Sequence, residues 1–87
     1  MIKVCVLLPA YNEEQEIGKI IKQIQAYVLD IIVVDDGSTD NTAAISKHAQ
    51  VILLSHPKNK GKGQALRTGF EFIKDRDYDA VVIMDSD

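Results

Sequence analysis

Four short runs, mostly or wholly apolar, mark the chain: Lys3–Leu8 (KVCVLL), Ile31–Val34, Val51–Leu54 and Ala80–Met84. None of them alternates apolar with polar. A strand with one wet face alternates, whereas a strand apolar at successive positions is covered on both sides, the habit of parallel sheets. The stretches between the runs have helical spacing. Ile17, Ile20, Ile21, Ile24 and Val28 fall on one face of a 3.6-residue period. Asn12 is the expected N-cap of that helix, with Glu13, Glu14 and Glu16 suited to its positive end. Thr42–Ala49 reads as a second helix with Ala44, Ile45 and His48 or Ala49 inward. Gln64–Lys74 reads as a third, burying Ala65, Leu66, Gly69, Phe70 and Ile73. The order is β-α-β-α-β-α-β. With right-handed crossovers it builds a Rossmann-like three-layer α/β/α unit around a parallel sheet of about four strands.

Composition narrows the classes. At 87 residues the chain is one domain at most, and 46% apolar residues exclude disorder as the main state. No apolar run exceeds five residues, against the roughly 20 needed to span a bilayer. Lone Cys5 cannot form an internal disulfide, and its place in a buried strand makes it an expected core residue. The net charge of −3 argues against general nucleic-acid affinity. Lys3 precedes a short apolar run that Pro9 breaks, which is not a secretory pattern, so the expected compartment is cytoplasmic.

In an open parallel sheet, ligands bind beyond the carboxyl ends of the strands. Pro9, Ala10, Tyr11, Asn12 and Glu13 follow the first strand, and Asp35-Asp36 the second. His56 and a basic loop, Lys58–Gly63 (KNKGKG), follow the third, and Asp85-Ser86-Asp87 the fourth. An aromatic ring, two acidic clusters and a basic loop on one edge suit a ligand with a ring, hydroxyls and phosphates, together with a divalent cation. Adjacent carboxylates point different ways. Asp35 or Ser38 can cap the next helix while Asp36, nearer the loop tip, faces the ligand. Asp85 and Asp87, two residues apart where a strand opens, can share Mg²⁺ or Mn²⁺ or divide between metal and ribose. The basic loop matches neither a P-loop nor a dinucleotide fingerprint. Within it Lys58 and Lys60 read equally well as solvated, whereas Lys62 and Arg67, at or inside the helix start, are better placed for phosphate. Tyr11 reads either as a ligand contact or as packing at the helix start. Tyr27 and Tyr78 read as packing at element ends, and His48 and His56 as unremarkable helix and loop residues.

Four segments taken together resemble the N-terminal half of a family 2 inverting glycosyltransferase of the GT-A fold. They are VLLPAYNEE (Val6–Glu14), IIVVDDGSTDNT (Ile31–Thr42), NKGKGQALRTGFE (Asn59–Glu71) and VVIMDSD (Val81–Asp87). The branch most resembled is that of the dolichyl- and polyprenyl-phosphate mannosyl- and glucosyltransferases. The resemblance implies that Pro9, Ala10, Tyr11 and Glu13 hold the nucleoside, and that Asp36 reads the base with Val34 beside it. It implies that Lys62 and Arg67 lie near the nucleotide. Asp85-Ser86-Asp87 matches the family's D-x-D motif, whose first Asp is expected near the ribose and whose last coordinates the metal on the diphosphate. The implied donor is a UDP- or GDP-sugar. The implied acceptor is a polyprenyl phosphate at the cytoplasmic membrane face.

The family's general base and acceptor site lie beyond the D-x-D motif, so the resemblance implies that residues 1–87 supply nucleotide and metal binding without a catalytic base. The fourth strand is then expected to present an uncovered edge through which chains could self-associate. Two other classes compete. A sugar-phosphate nucleotidyltransferase would place a glycine-rich basic loop after the first strand, where PAYNEE stands. A non-catalytic flavodoxin-like signalling module of the receiver type would place its acidic pair there, whereas here the pair follows the second strand.

Overall fold

A computed structural model describes residues 2–86; Asp87 of the D-x-D triplet lies outside the described residues. The elements run β1 (Val4–Ala10), α1 (Ile17–Gln25), β2 (Asp30–Asp35), α2 (Thr42–His48), β3 (Ile52–Ser55), α3 (Lys62–Ile73) and β4 (Ala80–Ile83). The four strands form one sheet in the order β3-β2-β1-β4, all pairs parallel. This is the expected α/β Rossmann-like architecture. The chain steps outward from β1 through β2 to β3, then returns across the sheet to β4. Right-handed crossovers therefore put α1 and α2 on one face and α3 on the other.

Each face has its own apolar layer. Val6, Leu8, Ile31 and Val33 meet Ile17, Ile21 and Ile24 of α1. Cys5, Leu7, Ile32 and Val34 meet Ala65 and Ile73 of α3. Successive residues of β1 and β2 thus serve opposite layers, which is why those strands are apolar without interruption. Cys5 is a core residue, and burial pushes its thiol above the ordinary value, which keeps it unreactive. Gly69 lets α3 approach β1: a Cβ there would lie 2.3 Å from Leu7 Cδ1.

Several local expectations are corrected. β1 continues through Pro9 to Ala10, because β2 supplies partners as far as Asp35. Asn12 does not cap α1. It adopts φ 51°, and α1 begins later, at Ile17, behind Glu16. In α2 the buried residues are Thr42 and Ser46, while Ala44 and His48 are exposed. Both hydroxyls are satisfied locally: Ser46 Oγ donates to the Thr42 carbonyl, and Thr42 Oγ1 bonds Asp40. With its polar atoms occupied, this face buries as an apolar one would. In α3, Phe70 is turned to solvent and Phe72 packs inward instead. Tyr27 is 90% exposed, whereas Tyr78 is half-buried beneath the Lys3 ammonium. At the sheet edge β4 pairs with β1 alone and leaves Val82, Ile83 and Met84 exposed.

Candidate functional site: a cleft at the strand switch point

β1 leads through α1 to a strand on one side of it, and β4 arrives on the other. The carboxyl ends of β1 and β4 therefore flank a topological switch point, where open α/β sheets bind ligands. A cavity of about 310 Å³ lies there. Of the residues expected at a site, Pro9, Ala10, Tyr11, Glu13, Asp36, Lys62, Asp85 and Ser86 line it. Val34 does not, because it faces α3 inside the core and is fully buried. Arg67 does not either. It is an exposed residue of α3 whose charge acts on Glu71. Asn59 and Ala65 complete the wall.

The loop after β1 is clasped to the loop after β2. Asn12 N donates to Ser38 Oγ at 2.9 Å, and Thr39 N donates back to Asn12 Oδ1 at 2.8 Å. Glu13 N donates to Thr42 Oγ1, and Asn41 N donates to Glu14 Oε1. The αL conformation of Asn12, which Asn tolerates better than most residues, turns the chain so that these bonds form. Glu14 thereby serves the start of α2 rather than that of its own helix. Tyr11, 44% exposed, is left on the rim of the cavity.

Asp36 is the hub of the opposite wall. Its backbone N–H donates to Ala10 O at 2.8 Å, extending the β1–β2 pairing past the strand end. Oδ1 accepts from His56 Nδ1 at 2.7 Å and from Lys60 N at 2.9 Å. Oδ2 accepts from Gly61 N at 2.8 Å and from Asn59 Nδ2 at 3.1 Å. A carboxylate has about four lone-pair sites, and all four are taken. Burial pushes this carboxyl up, but the bonds from His56, Lys60 and Gly61 and the His56 charge outweigh it, and the net shift is below the ordinary value. Neighbouring Asp35 is also buried, and its Oδ1 has no hydrogen-bond partner. His56 drew no functional reading from the sequence. The signal for it was its position directly after a strand, on the ligand edge.

The third wall comes from β4. Ser86 is buried, and its Oγ donates to Pro9 O at 3.0 Å, locking the end of β4 onto β1. Asp85 extends from that junction, half exposed, and its carboxylate pairs with the Lys62 ammonium from the start of α3. No group of three or more acidic, His or Cys side chains able to hold a metal occurs among the described residues. Asp85 therefore provides one hard oxygen donor at the mouth of the cleft. This arrangement fits Mg²⁺ or Mn²⁺ completed by phosphate oxygens of a ligand, which is how Mg²⁺ is commonly held, rather than an all-protein cage.

Residues 5–87 match the model of the family described as "Glycosyl transferase family 2", and the chain belongs to that family. It is 42% identical over 79 residues to a dolichyl-phosphate beta-glucosyltransferase of Trichomonas vaginalis, covering 72% of this chain and 23% of the relative. It is 35% identical over 99 residues to a UDP-N-acetylglucosamine–dolichyl-phosphate N-acetylglucosaminyltransferase of Methanococcus voltae, covering 93% of this chain and 39% of the relative. Among solved structures it resembles glucosyl-3-phosphoglycerate synthase from Mycobacterium tuberculosis, crystallised with Mn²⁺, UDP and glucosyl-3-phosphoglycerate. That match has 33% identity and a TM-score of 0.82, covering 98% of this chain and 33% of the synthase. The same synthase has also been crystallised with Mg²⁺ and UDP. The chain thus spans well under half the length of these relatives.

Proposed function

We propose that this chain is the donor-nucleotide half of an inverting glycosyltransferase. The donor is a UDP- or GDP-sugar, and the acceptor of the protein that carries the chain is a polyprenyl phosphate at the cytoplasmic membrane face. The observation that carries the reading is the Lys62–Asp85 pair facing the cleft between β1 and β4. It sets a phosphate-seeking cation beside a metal-seeking carboxylate, at the point where the fold binds ligands. The dolichyl-phosphate transferases among the relatives support the lipid-phosphate acceptor, and the UDP complexes of the synthase support the donor class.

The roles follow from position. The cavity is at the low end of the range for small-molecule sites, sized for a nucleoside while the sugar extends past Asp85. The Tyr11 ring stacks on the base, and Glu13 and the backbone at Pro9 and Ala10 border the nucleoside. Asp36 reads the base only if one of its four donors gives way. Asn59, an exposed side chain, is free to do so, whereas the two backbone amides and buried His56 are not. Lys62 draws the diphosphate toward the start of α3. Asp85 and Asp87 would hold the divalent ion, which supplies charge neutralisation for the departing diphosphate. Activation of the acceptor is assigned to the remainder of the protein.

Calorimetric titration of the protein with UDP and GDP, with and without Mn²⁺, tests the proposal. One nucleotide binds more tightly with the metal, and Asp85→Asn abolishes the metal's contribution. Equal, metal-independent binding of both nucleotides by wild type and Asp85→Asn overturns it.

A further inference from the structure

We propose that His56 is a positioning residue for the donor site: its Nδ1–H fixes the Asp36 carboxylate, and through it the height of the Lys58–Gly61 loop and of Lys62 above the cleft. This rests on the nucleotide reading above. The ring lies one residue past β3 and bridges two elements. Nδ1 is 2.7 Å from Asp36 Oδ1, and Nε2 is 2.7 Å from Thr68 Oγ1 in the second turn of α3. The His56 and Asp36 side chains are 7% and 4% exposed. A buried carboxylate must be met by donors, and the imidazole is the sole ring among the four that meet this one. With Asp36 accepting, Nδ1 carries a proton whether the ring is neutral or charged, and Nε2 bonds the Thr68 hydroxyl, which can donate to it or accept from it.

The consequence reaches the ligand through backbone. The oxygens held by His56 also receive the N–H groups of Lys60 and Gly61. Gly61 immediately precedes α3, and Lys62 is its first residue. If the imidazole is lost, Oδ1 keeps only the Lys60 N–H, the carboxylate is held less firmly, and the loop that hangs on it gains freedom to shift. Lys62 then presents its ammonium less firmly beside Asp85. His56 itself is not among the residues lining the cavity, so its effect on a ligand is transmitted rather than direct.

The test compares His56→Asn with His56→Gln in the intact protein. Gln is nearer the imidazole in size and reaches toward Thr68, but only Asn carries an N–H at the position of Nδ1. Affinity for UDP or GDP is expected within about threefold of wild type for His56→Asn and at least tenfold weaker for His56→Gln. Equal affinities of the two folded variants overturn the proposal. Amide hydrogen exchange at Lys60 and Gly61 gives a second readout that needs no ligand. Exchange is slow in wild type and His56→Asn and faster by tenfold or more in His56→Gln; unchanged exchange refutes the positioning role. Wild-type protein that binds neither nucleotide refutes the donor reading, and the exchange comparison then decides the loop-positioning claim by itself.

Discussion

Gly37→Ala is the substitution whose cost can be worked most directly from the structure. Gly37 has φ 73°, where an L-residue pays about 1 kcal/mol. A Cβ there would lie 2.2 Å from the Lys58 carbonyl carbon and 2.4 Å from Asn59 N. Carbon atoms make comfortable contact near ~3.5 Å, so the Lys58–Asn59 backbone must retreat by roughly 1.3 Å. The next two residues donate their N–H groups to Asp36 at 2.9 and 2.8 Å. A shift of that size takes both beyond the ~3.2 Å hydrogen-bond limit. Bonds to a charged acceptor are worth about 1.5–3 kcal/mol each, so the loss totals roughly 4 kcal/mol or more. A domain of this size has about 4–13 kcal/mol in hand, so the variant is severely destabilised. Gly61→Ala is the matched control. Gly61 sits at φ 98°, ψ 156°, a region open essentially to glycine, but a Cβ there meets nothing within 4 Å. It should cost about 2 kcal/mol from backbone strain alone. Urea unfolding of the two variants reads the difference. Gly37→Ala should lower stability by about 2 kcal/mol more than Gly61→Ala. Equal costs would show that the loop does not rest on Gly37.

Other outcomes follow from the same contacts. Gly69→Ala forces a methyl onto fully buried Leu7 and should cost about 1–3 kcal/mol in urea unfolding, with Leu7→Ala in the same chain recovering part of it. Because Asp36 has a lowered pKa when folded, its stabilisation is complete above the unfolded carboxyl value and is lost as pH falls through the folded one; Asp36→Asn should therefore flatten the loss of stability below about pH 4 in acid-titrated melts. The exposed Lys62–Asp85 pair should contribute less than about 1 kcal/mol to folding, so Asp85→Asn should leave the melting temperature within a few degrees of wild type while its metal-dependent binding disappears. Exposed Val82, Ile83 and Met84 on the β4 edge should make an 87-residue chain self-associate with rising concentration in light scattering, and Val82→Lys should suppress it.

The central strands β1 and β2 were legible because burial on both faces leaves a continuous apolar run; β3 and β4 carry the same run at the sheet edges, where β3 is half-buried and β4 largely exposed. The sheet edge was equally legible, since α/β ligands collect where strands end: of the eleven expected site residues, eight line the cleft, Val34 and Arg67 do not, and Asp87 lies outside the described residues. What escaped the sequence depends on partners far along the chain. Asn12 resembles a helix cap until Thr39, 27 residues away, claims its side chain. Asp36 reads as a free ligand until the loop some 20 to 25 residues later fills its lone pairs. His56 reads as ordinary loop until Asp36 and Thr68 are seen on either side of its ring. In α2, hydropathy selected Ala44 over Thr42 because it cannot register that a hydroxyl bonded within its own turn no longer needs water. Val34 was expected beside the base for its place in a motif, yet strand alternation turns it into the α3 layer.

On the proposed function, the cleft between β1 and β4 binds a nucleoside diphosphate through Lys62 and Asp85. Backbone amide resonances followed during titration with UDP or GDP and Mg²⁺, then with trace paramagnetic Mn²⁺, test it most directly. Shifts are expected at Tyr11, Glu13, Lys62, Asp85 and Ser86, with Mn²⁺ broadening centred on Asp85 and little change around Tyr27, past the C-terminal end of α1. Shifts that spare Lys62 and Asp85, or broadening centred elsewhere in a folded chain, would contradict it.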